Sequence, residues 1–261
     1  MIDRYINGLA ITVPLSGGAV GYIVVDSLIN GTSSGGVRIA EDLPFPEVKA
    51  LAREMTFKYS FIGLCRGGAK SGIRVPECLG PEEKKKVLEE FGRRVAPLIR
   101  SGIYYPGMDM NCGPDDLKAL YRGAGITLKK TTDTSYFTAL SVINAILACE
   151  AIKREGRPLT VAIEGFGSVG SYLAERLPEE RFNIIALSTV QGAVQQQEGF
   201  AIAGLLSLRR EYGDALIRHI PGSTRIGREE LLELEVDILV PSARTWAIND
   251  RNAGNVRARF I

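Results

Sequence analysis

Two lysines twelve residues apart, Lys58 and Lys70, are the side chains of this sequence most suited to anion binding or amine-based acid–base chemistry. Both lie in the stretch Met55-Thr-Phe-Lys-Tyr-Ser-Phe-Ile-Gly-Leu-Cys-Arg-Gly-Gly-Ala-Lys-Ser-Gly72. The repeat Val48, Leu51, Met55, Lys58 has helical spacing and sets Lys58 on an apolar stripe, where a charge is costly unless an anion meets it or its stem snorkels to water. Lys70 stands in the run Gly67-Gly68-Ala69-Lys70-Ser71-Gly72. Glycines there allow close backbone approach to a ligand and unusual dihedrals, and they leave room beside the amine. A lysine desolvated in such a place, near a second cation, has a lowered pKa, as general base or acid work at neutral pH requires. A third candidate is Asp109, in Pro106-Gly107-Met108-Asp109-Met110-Asn111; by itself an Asp-x-Asn loop is ordinary turn chemistry.

The pairing of Met-Thr-Phe-Lys with Gly-Gly-Ala-Lys resembles the Glu/Leu/Phe/Val amino-acid dehydrogenases, and the likeness runs from about Gly21 to Ile261. The resemblance implies that Lys58 holds the substrate α-carboxylate and that Lys70 is catalytic. It also implies that Asp109, in Pro-Gly-x-Asp, works with that lysine. Gly35, Gly36 and Arg38 match the family's Gly-Gly-x-Arg signature; read alone, Gly31 to Arg38 is a flexible loop leading into a strand. Glutamate-specific members carry a lysine before those glycines, for the side-chain carboxylate, and leucine and phenylalanine types an apolar residue. Here it is Ser34, so the implied substrate is not glutamate, and the likeness at this end is closer to the leucine/phenylalanine type.

A second group of residues points to a dinucleotide. Leu159 to Ile163 is a buried-strand pattern that runs into Gly165-Phe166-Gly167-Ser168-Val169-Gly170, then a helix Ser171 to Leu177 and a strand Asn183 to Leu187. A glycine fingerprint between strand and helix is a strong signal: the glycines permit the tight turn and close pyrophosphate approach, and the helix start offers free N–H donors. At the end of the second strand stand Ser188 and Thr189, where many relatives have Ser-Asp. Without the acid a 2′-phosphate is not repelled and the hydroxyls are available to it, so the cofactor is NAD or NADP. The resemblance adds Thr138, matching a threonine at the nicotinamide amide. It also adds Ser242, Ala243 and Asn249 to the cofactor-binding set, from segments like Asp-Ile-Leu-Val-Pro-x-Ala and the run after it.

These residues need elements to hold them. Ala10–Pro14 and Gly21–Val25 read as short strands, Gly80-Pro81-Glu82-Glu83 opens a helix with the stripe Val87, Phe91, Val95, Leu98, and Ile103-Tyr104-Tyr105 is a strand candidate. After a polar stretch, Lys129 to Ser135, an amphipathic helix is expected from about Thr138 to Lys153, with a stop at Gly156. The expected class is α/β: a mixed-sheet substrate domain over 1–134, then a Rossmann-type domain over 135–261, with the site in the cleft between them.

Composition bounds the rest. The chain has 261 residues, 45% hydrophobic and 24% charged, with 32 basic against 30 acidic side chains and a net charge of +2. That balance argues against nucleic-acid or membrane partners. Cys65, Cys78, Cys112 and Cys149 form no CxxC pair and His219 is the sole histidine, so no metal site is expected, and free thiols fit a reducing cytoplasm. No leader opens the chain and no run approaches the roughly 18 apolar residues of a membrane span. Relative to the family the chain looks short: it stops at Arg259-Phe260-Ile261, leaving the expected nucleotide sheet incomplete with an open edge.

The implied activity is oxidative deamination of an L-amino acid to a 2-oxo acid and ammonia by a homo-oligomer. The competing reading is a noncatalytic relative that binds nucleotide or amino acid, or is a partner subunit.

Overall fold

The computed structural model describes residues 8–76, 79–152 and 156–261, so Cys78 and the expected helix end at Lys153 lie outside the described residues. The chain divides into two compact units between Thr132 and Asp133.

The first unit is a five-stranded mixed sheet with helices on both faces. In chain order its elements are β1 (Leu9–Pro14), β2 (Val20–Val25), β3 (Ser33–Ala40), α1 (Phe45–Phe61), β4 (Gly67–Arg74), α2 (Pro81–Arg100), β5 (Tyr104–Met108) and α3 (Pro114–Gly123). The strand order is β1-β2-β4-β3-β5; the β1–β2 and β2–β4 pairs are antiparallel, and β3 is parallel to both β4 and β5. One face of the sheet, with Ile23, Val37, Ala69 and Ile73, packs on the apolar stripe of α2 through Val87, Leu88, Phe91, Val95 and Ile99. The other face meets α1 through Tyr22, Val24, Val48 and Ala52, with Leu43 just ahead of the helix. Pro106 is accommodated because β5 is an edge strand, where a missing N–H costs no ladder bond.

The stretch read alone as a loop leading into a strand, Gly31 to Arg38, is strand from Ser33 onward, and the glycine run around Lys70 is strand throughout. Gly35 and Gly36 lie inside β3, and Gly67, Gly68 and Gly72 inside β4. The physical reason is crowding rather than unusual dihedrals. A Cβ on Gly68 would stand 2.1 Å from the Thr56 nitrogen of α1, and one on Gly35 would stand 1.6 Å from the Ala69 carbonyl oxygen. Backbone meets backbone here, so the missing side chains are what let helix and strands close up.

The second unit contains α4 (Thr134–Ile152), β6 (Leu159–Glu164), α5 (Ser168–Arg176), β7 (Phe182–Thr189), β8 (Gly192–Gln195), α6 (Ile202–Tyr212), β9 (Thr224–Ile226), α7 (Arg228–Leu232) and β10 (Ile238–Pro241). The sheet order is β10-β6-β7-β8-β9, with β10, β6 and β7 parallel and β8 and β9 an antiparallel continuation. Such a parallel core, buried on both faces, explains the unbroken apolar runs of β6 and β7. Asp237, just before β10, is 3% exposed and ties the base of the sheet together. Its carboxylate accepts from Arg157 at 2.8 Å, from Arg259 at 2.7 Å and from the Thr160 N–H at 2.9 Å.

Helix α4 departs from expectation in two ways. It is apolar around most of its circumference rather than amphipathic, burying only Ala139, Ile143 and Ile146. By length and composition alone it could cross a membrane: an 18-residue window has mean hydropathy 1.5, with 17% of that window buried in this chain. Threonine, serine and asparagine interrupt its apolar run without adding charge, so a search for unbroken apolar stretches passes over it.

Candidate active site

In β4 the side chains alternate, so Gly68, Lys70 and Gly72 share the face that α1 covers. A Cβ on Gly72 would meet Val48 at 2.6 Å and Leu43 at 2.7 Å, just as one on Gly68 would meet Thr56. The two glycines thus draw the helix down on either side of Lys70, which is 5% exposed. Register places Lys70 against Val24 of β2, itself buried in the apolar cluster under α1. A lysine so enclosed needs an anion.

Asp109 supplies it. The residue follows β5 directly, in a turn closed by the Cys112 N–H on the Asp109 carbonyl and by Asn111 at φ 58°, with the Asn111 amide donating to the Ile39 carbonyl. Lys70 Nζ lies 2.7 Å from Asp109 Oδ2, and Arg38 Nε donates to the same oxygen at 3.0 Å. Arg38 in turn reaches Glu47 Oε1 in the first turn of α1 at 2.7 Å. Gly36 makes the approach possible, because a Cβ there would stand 2.6 Å from that of Asp109. Both cations thus share Oδ2 of Asp109.

The electrostatics follow from this packing. Burial lowers the Lys70 pKa below its ordinary 10.5, and nearby Arg38 adds to the effect; the attraction of Asp109 opposes both without cancelling them. Burial alone would raise the Asp109 carboxyl, but Lys70 and Arg38 beside it hold it below the usual carboxylate range. The result is an ionised aspartate touching a lysine that gives up its proton more readily than a solvated one, an arrangement suited to passing protons at neutral pH.

The remaining expected residues of this unit are placed differently. Lys58 is exposed on α1, because the buried stripe ends at Leu51 and Ala52, with Met55 half-buried. Its charge therefore faces solvent and not the apolar interior. Ser34 is half-buried, and its hydroxyl donates to the Tyr105 carbonyl at 3.0 Å. Gly35 accepts the buried Tyr104 hydroxyl at its carbonyl. The part of Glu47 in the charge cluster has no motif to mark it; a glutamate in the first turn of a helix reads only as dipole compensation.

In the second unit the three glycines have three different surroundings. Gly165 has φ 98° and sits so close to the chain after β10 that a Cβ would lie 2.6 Å from the Ala243 backbone. Gly170 lets α5 pack on the turn, its absent Cβ pointing at the Gly165 carbonyl oxygen 2.3 Å away. Around Gly167, the N-cap of α5, a Cβ would meet nothing within 4 Å. Open space at the helix start, where the N–H groups of Ser168 and Val169 begin α5, is what a pyrophosphate needs, so the residues present fit a dinucleotide.

Ser188 and Thr189 do not point their hydroxyls at a ligand. Ser188 Oγ accepts the Gly165 N–H at 3.0 Å, and Thr189 Oγ1 donates to the Asp214 carbonyl at 2.8 Å while accepting the Gln191 N–H. The serine is 1% and the threonine 5% exposed. Ser242 Oγ bonds the carbonyls of Glu164 and Gly165, and the Ala243 N–H donates to the Glu164 carboxylate at 3.1 Å. Thr138 is exposed on α4, its hydroxyl donating to the Thr134 carbonyl, and Asn249 forms an exposed turn with Trp246 and Arg251.

The second unit thus has a sheet with a parallel core and a glycine turn leading into a helix, and the first a mixed sheet that holds a buried lysine against a half-buried aspartate. The chain belongs to the Glu/Leu/Phe/Val dehydrogenase family. The family's dimerisation domain matches residues 10–124, and its Glutamate/Leucine/Phenylalanine/Valine dehydrogenase domain matches residues 125–261. A glutamate dehydrogenase of Thermotoga maritima is 31% identical over 259 residues, covering 92% of this chain and 62% of that protein. One of Aeropyrum pernix is 31% identical over 250 residues, covering 88% of this chain and 59% of that protein. The fold is shared with the hetero-hexameric glutamate dehydrogenase of Thermus thermophilus in its leucine-bound form, at TM-score 0.77 and 24% identity, over 97% of this chain and 65% of that one. The chain thus spans about three fifths of the length of these two glutamate dehydrogenases.

Proposed function

We propose that the chain carries the substrate and nucleotide sites of an NAD(P)-dependent L-amino-acid dehydrogenase, which interconverts an amino acid with its 2-oxo acid and ammonia and works as a homo-oligomer. The observation that carries this reading is the 2.7 Å contact between a buried lysine of lowered pKa and a half-buried, ionised aspartate. In this account the mixed-sheet unit is the substrate domain and the parallel-sheet unit the nucleotide domain.

Lys58, exposed on α1, binds the substrate α-carboxylate. Asp109 accepts a proton from the α-ammonium through its unengaged oxygen and returns it when ammonia leaves. Lys70, as the free amine, takes a proton from the water that attacks the substrate imine; as the ammonium it donates a hydrogen bond to the oxygen of the resulting carbinolamine, whose hydroxyl proton passes to solvent as ammonia leaves. Lys70 and Arg38 keep Asp109 ionised, and Glu47 holds Arg38 in place. A bound nicotinamide dinucleotide would supply the hydride acceptor, and the turn of Gly165, Gly167 and Gly170 at the start of α5 would hold its pyrophosphate.

The substrate is an amino acid without a second carboxylate, since Ser34 brings no cation to its position and spends its hydroxyl on the Tyr105 carbonyl. Replacing Lys70 with alanine tests the assignment: turnover is lost while nucleotide affinity is kept. Unchanged turnover in that variant would overturn it. The noncatalytic reading is favoured instead if the wild-type chain binds nucleotide and turns over no amino acid.

A further inference from the structure

Thr189 ends β7, at the place where an acid ordinarily bonds the hydroxyls of the adenosine ribose. Its hydroxyl is fully engaged, donating to the Asp214 carbonyl and accepting the Gln191 N–H, so Thr189 cannot read that ribose. What it does is clamp Asp214 against the end of β7. Asp214 is the second residue of a short 3-10 segment, Gly213–Arg218, which follows α6 and packs against β7 and β8. Its carboxylate is paired with Arg209, from the last turn of α6. The side chain of Asp214 is 43% exposed and that of Arg209 27%, so the carboxylate is the more open member of the pair.

We propose that Asp214 is the specificity residue for the nucleotide: its carboxylate accepts the 2′- and 3′-hydroxyls of the adenosine ribose, and the site thereby favours NAD over NADP. The inference rests on the dinucleotide reading given above. The acid missing from the strand end is restored from 25 residues further along the chain, through a backbone contact that fixes where it stands. Arg209 is the counter-ion of the Asp214 carboxylate. A 2′-phosphate brought to the same place meets a carboxylate whose cation is already taken.

Asp214→Asn and Arg209→Gln separate the alternatives. The Thr189 bond uses the Asp214 backbone, so the asparagine variant keeps the local fold, which the far-ultraviolet spectrum and thermal midpoint verify. Dissociation constants for NAD and NADP are measured by titration calorimetry on the wild-type chain and both variants. The inference expects the wild-type chain to bind NAD more tightly. Asp214→Asn should weaken NAD about tenfold, the loss expected for one charge-assisted contact, and leave NADP equal or tighter. Arg209→Gln should change NAD less than Asp214→Asn does. The inference is overturned if Asp214→Asn leaves NAD affinity unchanged, or if the wild-type chain prefers NADP and loses that preference in Arg209→Gln. Binding of neither nucleotide overturns it together with the dinucleotide reading, a result distinguishable from the first two.

Discussion

Replacing Asp109 with asparagine keeps its shape and removes the one charge that lies between Lys70 and Arg38. In the native cluster Asp109 Oδ2 takes both cations, at 2.7 Å and 3.0 Å. Charge-assisted bonds of this kind contribute about 1.5–3 kcal/mol each, and breaking a buried pair by removing one partner costs about 3–5 kcal/mol. Two features reduce the loss here. Asparagine still accepts one weaker bond, and the Asp109 side chain is 23% exposed, so water reaches part of it. The expected destabilisation of the first unit is therefore about 2–4 kcal/mol near neutral pH.

The sign of its pH dependence follows from Lys70. Asp109 is what most opposes the loss of the Lys70 proton, so the variant lowers an already depressed pKa further. Between that lowered value and the ordinary 10.5 the unfolded chain binds more protons than the folded one, so stability rises with pH across this window. The variant should regain part of its deficit as Lys70 becomes neutral, because the two buried cations then reduce to one. The chain's single tryptophan, Trp246, lies in the other unit and does not report on this event. Hydrogen exchange of peptides from β4 and β5, followed by mass spectrometry at several pH values, does. A deficit below about 1 kcal/mol that does not shrink as pH rises would refute the claim that Asp109 offsets two buried cations.

Three further predictions follow from other contacts. Gly167→Ala should leave the thermal midpoint unchanged, since its Cβ meets nothing, yet weaken nucleotide binding measured by calorimetry; Gly170→Ala should lower both, its Cβ falling 2.3 Å from the Gly165 carbonyl oxygen. Asp237→Asn should destabilise the second unit by about 3–5 kcal/mol, read from Trp246 fluorescence in urea, because Arg157 and Arg259 share that buried carboxylate. Burial pushes the Asp237 carboxyl up, but hydrogen bonds from Arg157 and Thr160 carry it below its ordinary 3.8. Its contribution is accordingly present above pH 3.8 and lost as pH falls through the lower folded value, and an acid titration of the wild-type and variant chains should converge there.

Much of this was legible in the residues. The strand–glycine turn–helix unit around Gly165 declares itself because each glycine meets a different steric demand. The stripe of α2 declares itself by periodicity, with Val87, Phe91 and Val95 buried and Leu98 half-buried as its shoulder. Composition and pattern say less where a glycine serves tertiary contact. Gly35, Gly68 and Gly72 look like loop residues because strands disfavour glycine, and only the backbone of the neighbouring element explains them.

Lys58 departs from its helical pattern for a related reason. A helical stripe predicts which face turns inward but not where along the helix the cover ends, and here it ends one turn early. Other contacts left no trace in one dimension. Glu47 on Arg38, and Asp237 between Arg157 and Arg259, join residues whose partners are set by topology. So does Asp214 under Thr189: serine and threonine at the end of β7 invite a ligand-binding reading until their hydroxyls are seen to be bonded inward.

The central claim is that Lys70 and Asp109 make this chain an amino-acid dehydrogenase. The most direct test is the appearance of reduced nicotinamide when the purified chain is given NAD or NADP with a panel of L-amino acids, apolar, aromatic and acidic, as a function of pH. The account predicts turnover with an amino acid lacking a second carboxylate, abolished in Lys70→Ala, on a limb that rises with pH through a value below 10.5. A folded chain that binds nucleotide and reduces none of it with any member of the panel would contradict the account.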